Sequence, residues 1–174
     1  HARGNVLYEL DHEPALALYK RYLGEFADDL PGSGMRFPLS IHPNGHKDGI
    51  IRTLLGVNEQ EQSITFAGDI PVGAVARLMH PNFNRLIEGS ADTTRNAPRI
   101  NQDPALALVV SCCGRIAVMA EQVEDELCVI QESLGDSVQL TGFYSYGELG
   151  PVGSGQRCHL HNQTVTVTSI YEQS

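Results

Sequence analysis

Ser111-Cys112-Cys113-Gly114-Arg115 gathers two thiols, a hydroxyl, a guanidinium and a glycine within one short stretch. The continuously apolar run 105–110 precedes it and a helical pattern starts at Ile116, so these residues stand where a strand gives way to a helix. Unpaired backbone amides and the helix dipole favour negative charge there, which would hold an anionic group or lower the pKa of a thiol beside Arg115. Cys112 and Cys113 equally fit small buried residues in tight packing.

Two further groups carry chemistry. In Cys158-His159-Leu160-His161 an extended backbone puts both histidines on one face and the cysteine on the other. The histidines could share zinc with a third ligand such as Glu148 or His42, act as the base for a nucleophilic Cys112, or be ordinary hydrogen-bonded residues. In Phe143-Tyr144-Ser145-Tyr146-Gly147-Glu148, alternation sends Tyr144 and Tyr146 to one face, giving an aromatic wall for a small-molecule pocket or a plain core or rim. Gly147, Gly150, Gly153 and Gly155 suit a turned loop, because no helix follows them to make a phosphate cradle. His12, His42, His46 and His80 stand in expected turns and read as solvated loop residues.

These groups must be positioned by the elements around them. Strand character at 6–10 is followed by Pro14 and by Ala15, Leu16, Tyr19, Tyr22, Leu23 and Phe26 at helical spacing, with a stop near Gly24. Strands are expected at 37–41, 49–57, 63–66 and 74–79, and short polar connectors make antiparallel neighbours of them. A helix is expected beyond Pro81, the apolar run 105–110 reads as a strand covered on both faces, and one long helix runs from Ile116 to a stop at Gly135. Strands at 138–146 and 164–171 close the chain, with the glycine-rich stretch as their connector. The pattern gives one α+β domain over 1–174: a mixed, mostly antiparallel sheet with about three helices packed on it.

The totals set limits. At 174 residues and 41% hydrophobic, the chain suits one domain with a real core, and no apolar run approaches the roughly 20 residues of a membrane span. A net charge of -9 with 12 Lys plus Arg opposes binding to nucleic acid or to an anionic membrane. Four cysteines make no disulfide framework, so they read as reduced and cytoplasmic. His1-Ala2-Arg3-Gly4 runs straight into strand-like sequence without the pattern of a secretory signal, which reads as a segment excised from a longer chain.

The segments LYELDHEPALALYKRYLG, FPLSI, FAGDIPVGAVARLMH, ALALVVSCCGR, LTGFYSYGELGPVG and LHNQTVTVTSIYE, in that order, resemble the FIST C-terminal domain, named for F-box and intracellular signal transduction proteins. The resemblance implies a cytoplasmic, non-enzymatic sensor that follows a FIST N-terminal domain and binds small ligands, amino acids or their derivatives among them. It places the family's recurring polar positions on Cys112, Gly114 and Arg115, on Tyr144, Tyr146, Gly147 and Glu148, and on His161, Asn162, Gln163 and Thr164. No cofactor is implied. Cys113 and Cys158-His159 depart from the pattern.

The expected site therefore joins the turn after the apolar strand to the final hairpin in one cavity. Arg115 and the helix start would hold an amino acid's carboxylate and Glu148 its amine. Two rival readings are a cysteine-dependent enzyme or redox sensor using Cys112, and a protein-interaction module whose tyrosines meet a partner.

Overall fold

The structure, a computed structural model, describes residues 1–43, 49–97, 105–151 and 158–171. In chain order the elements begin β1 (Ala2–Arg3), β2 (Val6–Leu7), β3 (Glu9–Leu10), β4 (Glu13–Pro14) and α1 (Ala15–Leu23). Two 3-10 turns lead to β5 (Leu39–His42), β6 (Ile50–Arg52), β7 (Leu54–Asn58), β8 (Ser63–Phe66) and β9 (Val75–Leu78). Then come α2 (Phe83–Arg95), β10 (Leu106–Cys112), α3 (Cys113–Met119), α4 (Glu124–Leu134) and β11 (Gln139–Ser145). The two-stranded sheet of β12 (Glu148–Pro151) and β13 (Cys158–His161) precedes the last strand, β14 (Val165–Ile170). The backbone groups into two compact units, His1–Pro81 with Leu149–Asn162, and Asn82–Glu148 with Gln163–Ser174.

In the first unit, the polar connectors do make antiparallel neighbours. One sheet runs β1-β2-β8-β7 and another β6-β5-β9, all antiparallel. The expected strand 49–57 is divided at Thr53: β6 pairs with β5 while β7 pairs with β8, so one stretch of chain serves two sheets. Helix α1 follows Pro14 and buries Ala15, Leu16, Leu18, Tyr19 and Leu23, and Gly24 at φ 59 ends it, because that left-handed conformation is easiest without a Cβ. Its buried face meets Leu54, Ile64 and Phe66, which like Leu16 are fully buried in one cluster. His42 corrects the turn reading, since it ends β5, is buried, and hydrogen-bonds through Nε2 with Ser40 Oγ at 3.0 Å. His46, Gly153 and Gly155 lie outside the described residues, and Gly150 stands within β12 rather than in a loop.

The second unit is a three-stranded sheet, β11-β10-β14, with β10 parallel to β11 and antiparallel to β14. Burial alternates along β10: Ala107, Val109 and Ser111 are buried, while Leu106, Leu108 and Val110 are half-buried. One face is thus fully covered, not both, and the core beneath it holds Ile130 and Leu134 of α4 with Val138 and Val165. The long helix expected from Ile116 is two, because Ala120 takes φ 50, which an α-helix does not contain, and α3 ends there. Among the described residues the α-helices are therefore four, and the class is α+β as the sequence indicates. None of them is long and apolar enough to cross a membrane.

Candidate functional site

On α4, Glu126, Ile130 and Leu134 recur every fourth residue, so the carboxylate of Glu126 shares the helix's buried face and is 1% exposed. A carboxylate taken so far from water needs partners on both oxygens. Arg115 on α3 supplies the charge, donating from Nε to Glu126 Oε1 at 2.6 Å and pairing with it again through Nη2. Ser90 of α2 donates to the same oxygen at 2.8 Å, and Ser111 of β10 donates to Oε2 at 2.7 Å. Nη2 also donates to Leu86 O and Ser90 Oγ, and Nη1 donates to Gln163 O. Asn82 caps α2 by accepting from the Arg85 amide, and the small buried residues Ser90, Ala91 and Thr94 line the inner side of that helix.

Arg115 is buried and spends Nε and Nη2 inside the protein, which leaves it without a free fork for a ligand's carboxylate. Glu148 is similarly engaged: it is buried and accepts from Ser145 Oγ at 2.5 Å and Thr164 Oγ1 at 2.6 Å. Cys112 stands at the N-terminal boundary of α3 without a side-chain capping bond, is 3% exposed, and donates its amide to Thr164 O. Burial pushes its thiol above the ordinary cysteine range, and the Gly114 and Gln163 amides do not offset this. Of the two readings of Cys112, the low-pKa thiol at a helix start is thus opposed by desolvation, and its burial matches the reading as a small packed residue. Gly114 is required for close approach, since a Cβ there would meet Gln163 Cγ at 2.8 Å.

Beside this network the second unit holds a cleft of about 280 Å³. Its floor is Val109 and Ser111, Leu127 of α4 forms one side, and β11 from Leu140 to Tyr144 forms the other. Gly142 is indispensable to that wall: a Cβ would fall 1.8 Å from Val109 O, inside the neighbouring strand's backbone. Tyr144 lines the cleft at 43% exposure, and its hydroxyl pKa is raised by burial first and by the charges of Glu126 and Cys113 second. Tyr146 is 90% exposed and takes no part in the lining.

His161 and Asn162 belong to the first unit. There His161 Nε2 donates to Gly150 O at 3.0 Å, and Asn162, 1% exposed, accepts from the Thr53 amide and donates to Ala67 O. Both act as ties within the unit. Among the described residues no three His, Cys, Asp or Glu side chains gather where a metal ion would fit. Sequence reasoning passed over Glu126, Ser90, Leu127 and Gly142. The available signal was a carboxylate in register with Ile130 and Leu134, which demands an internal cation.

Residues 15–151 match the family model of the FIST C domain. Over 166 residues the chain is 27% identical to uncharacterized protein Mb0898c of Mycobacterium bovis, covering 91% of this chain. Over 171 residues it is 28% identical to uncharacterized protein Rv0628c of Mycobacterium tuberculosis, again with 91% of this chain covered. The match spans only 43% of the length of each relative. No solved structure gives a significant match.

Proposed function

The chain belongs to the FIST C domain family of signal-transduction domains, and on that premise we propose that it is a sensor that binds a small ligand in the cleft between β10, β11 and α4. The observation that carries this reading is the cleft itself: near the lower end of the roughly 300–1,000 Å³ typical of ligand sites, walled mainly by apolar groups, with a polar floor at Ser111. The Ser111 hydroxyl has a single proton, and it is committed to Glu126. Its oxygen can then only accept, so a ligand group placed over it must be an N–H or O–H donor.

With Arg115 held by Glu126, and Glu148 by Ser145 and Thr164, a free zwitterion has no charged partner in the lining. An amino-acid derivative with masked charges suits the cleft better than the free amino acid. In this reading the domain acts by binding rather than by catalysis, in the cytoplasm and beside a FIST N-terminal domain. The raised Cys112 pKa supports the non-catalytic assignment, and the greater length of the relatives leaves room for the second domain.

Thermal shift against paired sets of free amino acids and their N-acyl amides tests this. Occupancy at a hundredfold excess over Kd stabilises by about 2.7 kcal/mol. Stabilisation by amides, weakened in Ser111→Ala, is the expected result. A panel without any shift, or shifts indifferent to Ser111→Ala, overturns the site. A second reading, a protein-interaction surface, rests on the exposure of Phe143 at 61% and Tyr146 at 90%. Concentration-dependent sedimentation, abolished by Phe143→Ser with Tyr146→Ser, would favour it.

A further inference from the structure

The first unit has a groove of its own, of about 290 Å³, between α1 and the turn that joins β3 to β4. Its floor is apolar and buried, formed by Leu18, Tyr19 and Leu39, while Tyr22 and Leu78 stand exposed at the rim. The Tyr19 hydroxyl is already spent on Phe37 O at 2.6 Å, so that residue offers the groove only its ring.

Among the described residues, one charged side chain lines this groove, Asp11. It occupies the two-residue turn Asp11-His12, where both residues have positive φ, 50 and 67. Among the described residues its carboxylate has no hydrogen bond or ion pair, although α1 carries two cations close by in sequence. Those cations are engaged elsewhere: Lys20 pairs with Glu59 and Arg21 with Glu13. An anion is thus left uncompensated at the mouth of a pocket with apolar walls and two tyrosine rings.

We propose that this groove binds a small organic cation, an ammonium group carried on an apolar body. The ammonium sits between the Asp11 carboxylate and the tyrosine rings, whose faces attract positive charge, and the body covers Leu18, Leu39 and Leu78. The site lies wholly in the first unit and stands or falls independently of the cleft in the second.

The probe is phenethylammonium, with neutral 2-phenylethanol as its isostere, followed by amide chemical shifts in the 174-residue chain. Saturable shifts at Leu18, Tyr22 and Leu78 are expected, with the cation favoured over the alcohol by about fivefold, the scale of one exposed ion pair. Asp11→Asn should erase that preference while keeping the fold, because asparagine tolerates a positive φ as well as aspartate does. Tyr22→Ala, at a site 69% exposed, should weaken the cation more than the alcohol. Absence of saturable shifts at millimolar phenethylammonium, equal affinity for the two probes, or an undiminished preference in Asp11→Asn overturns the proposal.

Discussion

Each unit buries an arginine, and the two arginines are satisfied in different currencies. Arg115 in the second unit meets a carboxylate, Glu126, with two serines completing the group. Among the described residues, Arg52 in the first unit meets backbone carbonyls, those of Ile51, Asp69 and Leu160. Desolvation accordingly lowers the Arg52 pKa, with the charge of Asp69 restoring part of it. The apolar surroundings differ too. The first unit gathers a broad buried cluster around Leu16, Leu54, Ile64 and Phe66, whereas the second has a smaller one around Val109 and Ile130 and relies on its ion-pair network to join α2, α3, α4 and β10. Hydrophobic packing tolerates a lost group by partial collapse. A buried ion pair does not, because the remaining charge keeps its desolvation cost.

The sharpest way to break this contrast is Glu126→Ala. It strands the Arg115 guanidinium and should cost about 3–5 kcal/mol, with hydrogen-exchange protection lost in α2, α3 and α4 first. Equal loss of protection in α1 and β8 would contradict the division into units. Leu16→Ala, fully buried in the first unit, should cost about 2–5 kcal/mol by denaturant titration, with exchange rising first around α1 and β8.

The pH dependence is gentler and belongs to the second unit. Folding holds the Cys112 proton more tightly than the unfolded chain does, so at alkaline pH the unfolded state binds fewer protons. The contribution is complete below the unfolded thiol value of about 8.5 and is lost as pH rises through the higher folded value. Denaturation measured at neutral and alkaline pH should show a shallower decline in Cys112→Ala than in the parent. The smallest effect is expected at Thr53, whose buried Oγ1 has no hydrogen-bond partner among the described residues. Thr53→Val should be neutral or stabilising by up to about 1 kcal/mol, and a loss of more than that would mean the hydroxyl is satisfied after all.

Much of the framework was legible in the sequence. The strand 63–66 and the stop of α1 at Gly24 follow from local alternation, helical spacing and glycine chemistry. The break at Ala120 was not legible, because a positive φ at alanine has no compositional mark and is imposed by what the two short helices pack against. For the same reason β6 and β7 read as one strand: nothing in 49–57 says that its halves serve different sheets. The candidate site was half visible. Ser111, Cys112, Gly114 and Arg115 stood out by type, and Tyr144 does line a cleft. The internal engagement of Arg115 and Glu148 was hidden, since a charged residue looks the same in sequence whether it faces a ligand or a buried partner.

What the amino-acid sequence determined by itself is the α+β class, several of the elements in their order and membership of the FIST C domain family, because period, turn chemistry and ordered segments are local properties. Only the tertiary structure decided the pairings. Glu126 reaches Arg115 from another helix, and the Leu160 carbonyl reaches Arg52 across 108 residues of chain. Such contacts depend on where separate elements come to rest against each other, and buried polar atoms take the partner that packing brings within hydrogen-bonding distance.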